Sequence, residues 1–158
     1  MMKIYAVILT AIAASMVGGS VYACGDSLYR VGKGVAYRVY TAPLPGSVLV
    51  YGDGENAELL AKELARSGHG VRLITNSEEL QAEIGSGAYD VVIAAYSDES
   101  VVAPDMTSKS GAPTFLPVAL TEEEKEQAGK DYQRVLLAQK AEIKHYLKAI
   151  HQTLKHRS

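Results

Sequence analysis

Hydrophobic and polar positions alternate between two periods along most of this chain. Ser47-Val48-Leu49-Val50-Tyr51 is a β-branched, apolar run of strand length. Gly52-Asp53-Gly54-Glu55-Asn56 interrupts it as a turn. Ala57, Leu60, Ala61 and Leu64 then recur on one face of a helix, which Ser67-Gly68-His69-Gly70 stops. Val71-Arg72-Leu73-Ile74 predicts a second strand. A second helix runs from Asn76 to Gly85, with Asn76 as cap, Glu79 able to answer it, and Leu80 and Ile84 facing inward. Val91-Val92-Ile93-Ala94-Ala95 is a third strand. Strand, helix, strand, helix, strand within about fifty residues predicts a parallel βαβαβ unit.

The pattern continues to the C-terminus. Tyr96-Ser97-Asp98 leaves the third strand, and Val101-Val102-Ala103 predicts a short helix. Pro104 to Pro113 reads as loop. Thr114 to Leu120 is the fourth strand, and Pro117 within it predicts a position near an edge or a local irregularity. Thr121-Glu122-Glu123-Glu124 has the form of a capping box, with the Thr121 hydroxyl accepting from the Glu124 amide. A fifth strand is predicted over Gln133–Ala138. A last helix is predicted from about Lys140 to His156, with Ile143, Leu147, Ile150 and Leu154 buried. Its other face carries Lys144, His145, Lys148 and His151, a candidate partner surface for something acidic. The fold class is therefore α/β, a five-stranded, doubly wound parallel sheet over residues 47–158.

Residues 24–46 stand outside that repeat. Leu28 to Val31 and Val35 to Tyr40 alternate around Gly32-Lys33-Gly34, which predicts a short hairpin, or an extended arm with a kink, with Tyr29, Val31, Tyr37 and Val39 inward. Pro43-Leu44-Pro45-Gly46 ends it. Before this, Lys3 precedes an uncharged apolar run, Ile4 to Gly19, and Ser20-Val21-Tyr22-Ala23 offers a cleavage site. Residues 1–23 are thus expected to be a secretory signal peptide, and the mature protein periplasmic or envelope-attached. Val21-Tyr22-Ala23-Cys24 resembles a bacterial lipobox. Cys24, the single cysteine, is expected either to carry lipid and tether the chain to a membrane or to stay a free thiol.

Composition adds little. A net charge of −2 over 158 residues gives no basic surface suited to nucleic acid. His69, His145, His151 and His156 show no metal-ligand spacing, so no metal and no cofactor are expected.

Several motifs carry a resemblance to response-regulator receiver domains, which have the flavodoxin-like architecture. Val48 to Leu60 resembles the receiver start, an apolar strand leading through an acidic turn to a helix. Gly68-His69-Gly70-Val71 is similar to the receiver entry to strand two. Tyr89-Asp90-Val91-Val92-Ile93 is similar to the lead into strand three, and Pro117-Val118-Ala119-Leu120-Thr121 to strand four with its switch threonine. The resemblance spans about Ser47 to Leu154. It implies phosphorylation of a carboxylate ending strand three, a magnesium-holding acidic pair after strand one, a Ser/Thr after strand four and a lysine after strand five.

The nucleophile position falls on Ala95. The acidic pair is reduced to Gly52-Asp53. Thr121 matches, and the lysine position falls near Gln139, one residue before Lys140. The chain is thus expected to be an exported pseudo-receiver, not an enzyme and not competent for aspartyl phosphorylation. It is expected to work as a non-catalytic interaction or binding module whose partner is another envelope protein. Gly52, Asp53, Gly54, Tyr96, Ser97, Asp98, Thr121 and Lys140 are its candidate crevice residues, because open α/β sheets bind ligands at the carboxyl ends of their strands. The alternative is a flavodoxin-like small-ligand or cofactor binder, or a metal-binding envelope protein.

Overall fold

The computed structural model describes residues 41–106 and 111–157. The expected signal peptide, Cys24 and the predicted hairpin, including Tyr29, Val31, Tyr37 and Val39, lie outside the described residues. Among those described, no helix is long and apolar enough to cross a membrane.

Five strands form one parallel sheet: β1 (Ser47–Tyr51), β2 (Gly70–Ile74), β3 (Val91–Ala95), β4 (Thr114–Ala119) and β5 (Leu136–Leu137). Their order is β2-β1-β3-β4-β5 and every pairing is parallel. This is the flavodoxin-like order of a doubly wound sheet. The helices are α1 (Glu55–Arg66), α2 (Ser77–Ser86), α3 (Glu99–Val102), α4 (Glu122–Asp131) and α5 (Ile143–Arg157).

Strand parity divides the core. Val48, Val50, Val91, Ile93, Leu116 and Val118 point to one face, where α1 and α5 bring Leu60, Leu64, Tyr146 and Ile150. Leu49, Val92, Ala94 and Phe115 point to the other, covered by Leu80 and Ile84 of α2 and Val102 of α3. β3, at the centre, is buried throughout, as a parallel strand covered on both faces must be.

The helix ends follow their sequence signals with local differences. The Asn76 side chain accepts from Glu78 N–H at 2.7 Å and from Glu79 N–H at 3.4 Å. The reciprocal half of that box is not made. Glu79 is drawn instead to Arg72 of β2, 2.7 Å away, which also pairs with Glu83 at 2.8 Å. At α4, Thr121 Oγ1 accepts from Glu124 N–H at 3.2 Å, and the Glu124 carboxylate reaches back to Leu120 N–H at 2.7 Å. Gly87 stops α2 in the left-handed region at φ 71°.

Two predicted elements are shorter than their sequence patterns. β5 covers only Leu136–Leu137, paired with Val118 and Ala119. The cause lies in β4. Thr114 donates to Asp90 O on the β3 side, and Ala119 O accepts from Ala138 on the β5 side. Main-chain groups of Phe115, Pro117 and Ala119 therefore face β5, and Pro117 has no N–H to extend that ladder. Pro117 thus sits in an inner strand, at the point where the neighbouring ladder runs out. The last helix starts at Ile143 rather than near Lys140, because Lys140 N–H closes a turn on Leu137 O at 3.0 Å.

Candidate functional site

The carboxyl ends of the strands lie along one edge. From β1 the chain enters Gly52-Asp53-Gly54, with Gly52 N–H still bonded to Ile74 O at 3.0 Å. Gly54 caps α1 at φ 89° and ψ 169°, a conformation that favours glycine. β3 ends on Ala95, which is 1% exposed, and continues into a 3-10 turn over Tyr96–Asp98. β4 ends at Ala119 and hands over to Thr121 and α4.

The edge divides into two halves. On one side, the exits of β1 and β3 bring Asp53 and Asp98 within electrostatic reach. Burial, and then the Asp53 charge, raise the Asp98 carboxyl above its ordinary value. Asp53 and Ser97 are exposed, and Asp98 is half-buried. On the other side, Lys140 Nζ is ion-paired with Glu122, which also holds Lys125 at 3.4 Å. Gln139 Nε2 donates to Leu120 O at 3.2 Å and closes the same seam. Hydrogen bonding to Lys140 is the leading reason that the Glu122 carboxyl falls below its ordinary value. The Glu123 carboxyl is also lowered, by its own backbone N–H and then by the Thr121 hydroxyl. Thr121 is occupied as a helix cap.

Between these halves stands a pair with no obvious sequence signal. Tyr132, just past α4, donates its hydroxyl to Glu99 Oε1 at 2.7 Å and sets its ring edge-on to Phe115 at 5.2 Å. Burial and the bond to Glu99 push the Tyr132 phenol well up. The Tyr96 phenol is also raised, by burial and then by Glu99 and Asp131. The only hint in sequence is an isolated aromatic in the polar stretch after α4.

This rim is acidic where Gly52-Asp53-Gly54 opens. Asp53 and Glu55 would repel a phosphate from the N-terminus of α1, and Lys140 is already neutralised by Glu122. Among the described residues, His69 lies at the opposite edge from Ser97, a strand length away. Among the described residues no three His, Cys, Asp or Glu side chains gather as a metal-holding group.

The candidate partner surface on α5 is less uniform than its sequence suggests. Lys148 is exposed, and Lys144 is exposed but paired with Glu142 at 2.8 Å. His145 Nδ1 accepts from Glu142 N–H at 3.0 Å, serving the helix start. His151 is half-buried, and its Nδ1 is buried with no hydrogen-bond partner among the described residues. It stands four residues after Leu147 and three before Leu154, and so borders the buried stripe.

The architecture is that of a flavodoxin-like α/β domain with polar side chains gathered at the carboxyl edge of its sheet. No protein-family model, curated protein or solved structure matches the chain.

Proposed function

We propose that this chain is an exported, receiver-like domain that acts as a non-catalytic interaction module and does not take part in aspartyl phosphotransfer. One observation carries this reading. β3 ends on the buried methyl of Ala95, where the receiver resemblance calls for a nucleophilic carboxylate. Asp98 lies on the following turn, and Lys140, the candidate phosphoryl-pairing cation, is engaged by Glu122. Apolar residues cover both faces of the sheet, so what the domain offers a partner is its polar outer surface. The partner is expected to be another protein of the envelope, with the export signal read from residues 1–23.

Two measurements test this. Purified protein is incubated with acetyl phosphate and magnesium and its intact mass recorded. The expected mass is unchanged, and a stable gain of one phosphoryl group overturns the proposal. A photo-crosslinker placed at Lys148 is then activated in intact envelopes. One discrete crosslinked protein, competed away by excess unlabelled domain, is the expected result. No competed product means that α5 is not the partner surface.

A further inference from the structure

The opposite, amino edge of the sheet holds a buried histidine that the crevice does not use. His69 is 5% exposed and sits in the turn that leads into β2. Its Nδ1 accepts the N–H of Gly46 at 3.1 Å. Nδ1 therefore carries no proton in the neutral ring, and the single ring proton is on Nε2, which is buried with no hydrogen-bond partner among the described residues.

The bond to Gly46 belongs to a small set. Residues 42–46 contain Pro43 and Pro45, which have no N–H, so only Ala42, Leu44 and Gly46 can donate. Ala42 N–H bonds Ser67 O at 2.7 Å, Gly46 N–H bonds His69, and Gly70 N–H returns to Gly46 O at 3.0 Å. Three bonds thus fasten the segment before β1 to the turn over residues 67–70. One of them depends on a group that titrates.

We propose that His69 is a proton-operated latch: neutral, it holds residues 42–46 against the turn before β2, and on protonation it releases them. A proton on Nδ1 would point at the N–H of Gly46, setting donor against donor. The resulting imidazolium would also be buried. Several ionisable groups of the surrounding elements are engaged elsewhere. The Asp90 carboxylate, before β3, accepts from Ser47 N–H at 2.9 Å. Glu63 and Arg66 of α1 pair with each other at 2.9 Å. On α5, Leu154 packs against Gly46; Lys155 beside it is exposed, and Arg157 bonds the carbonyls of Ala112 and Gly111. His151, near Leu154, is itself partly buried.

The sign of the pH response follows. Burial depresses the His69 imidazole below its ordinary value of 6.5, against a smaller opposing pull from the Gly46 backbone. A base with a depressed value in the closed state stabilises that state fully above 6.5. The stability is lost as pH falls from there towards the depressed value.

The test uses the full chain labelled with ¹⁵N. Long-range nitrogen–proton correlations at neutral pH read the His69 tautomer. Nε2–H is expected, and Nδ1–H overturns the proposal. Amide exchange of Ala42 and Gly46 is then followed from pH 7 to 5, corrected for intrinsic rates, with the amides of β3 as reference. Gly46 protection is expected to fall by up to about tenfold per pH unit below about 6.5, while β3 stays protected. In His69→Asn, whose Oδ1 takes the place of Nδ1 without titrating, Gly46 protection is expected to be flat with pH. A flat wild-type profile, the same slope in H69N, or parallel loss across β3 overturns the latch. Should H69N not fold, the wild-type chain decides alone: the midpoint of the His69 ring resonances must coincide with the loss of Gly46 protection.

Discussion

Replacing Asp90 with alanine is expected to destabilise the domain by about 2 kcal/mol, and with asparagine by about 1 kcal/mol or less. Asp90 Oδ2 accepts the N–H of Ser47 at 2.9 Å, at the first residue of β1. The adjoining backbone bonds, Asp90 N–H to Ser47 O at 2.8 Å and Thr114 N–H to Asp90 O at 2.9 Å, do not involve the side chain. Alanine therefore removes one acceptor and leaves the rest. A hydrogen bond to a charged group is worth about 1.5–3 kcal/mol, and the abandoned Ser47 N–H sits in a half-buried place. Asparagine keeps an oxygen there and gives up only the charge, so the bond drops to the neutral range of about 0.5–1.5 kcal/mol. For a domain of this size the alanine variant should lose about 8 °C in Tm. The chain has no tryptophan, so urea unfolding is followed by far-ultraviolet circular dichroism, with the slope required to stay constant. Equal losses in D90A and D90N would show that the charge, and not the acceptor, matters. A loss under about 0.5 kcal/mol in D90A would refute the bond altogether.

Leu60→Ala is expected to cost about 3–5 kcal/mol and Leu80→Ala about 2–3 kcal/mol in urea unfolding, because α1 has three buried anchors backed by α5 and α2 has only Leu80 and Ile84; equal costs would refute the asymmetry. Asp98→Asn is expected to raise Tm at pH 7, since the carboxyl's raised value means that its charge opposes folding above that value. The gain should vanish below the ordinary value of 3.8, where both states are protonated; Asp53→Asn should give a smaller gain, as burial outranks the Asp53 charge. Thr121→Ala is expected to lose about 1 kcal/mol through the missing cap on α4, with Thr121→Ser restoring most of it in thermal melts.

The periodic elements were legible in sequence because burial on two faces imposes its own pattern. Val91 to Ala95 could be little other than a central parallel strand, and Leu60 and Leu64 fixed the inner side of α1. What escaped was set by partners that are distant in sequence. β5 is truncated by a proline in the neighbouring strand, which no reading of residues 133–138 alone can reveal. The pairing of Lys140 with Glu122 arises because the exits of β4 and β5 lie side by side. The Asp53–Asp98 proximity likewise depends on β1 and β3 being neighbours, and a spacing of 45 residues carries no sign of it. Tyr146 is fully buried although the 3-and-4 spacing of Ile143, Leu147, Ile150 and Leu154 omits it, since the stripe on α5 is wider than that spacing.

The motifs that resemble a receiver fall into two groups with different physical reasons. Gly68-His69-Gly70-Val71 and Tyr89-Asp90-Val91 stand at the amino edge. There His69 takes the N–H of Gly46 and Asp90 takes the N–H of Ser47, so the entries to β2 and β3 together hold the entry to β1 between them. Any parallel sheet of this order must satisfy those amides, whatever happens at its other edge. Chemistry belongs to the carboxyl edge, where β3 ends on Ala95 and Lys140 is held by Glu122. The amino-edge motifs are therefore evidence about folding. What the carboxyl edge can do chemically is set residue by residue, by Ala95, Asp98 and the Lys140–Glu122 pair, and not by the motifs that begin the strands.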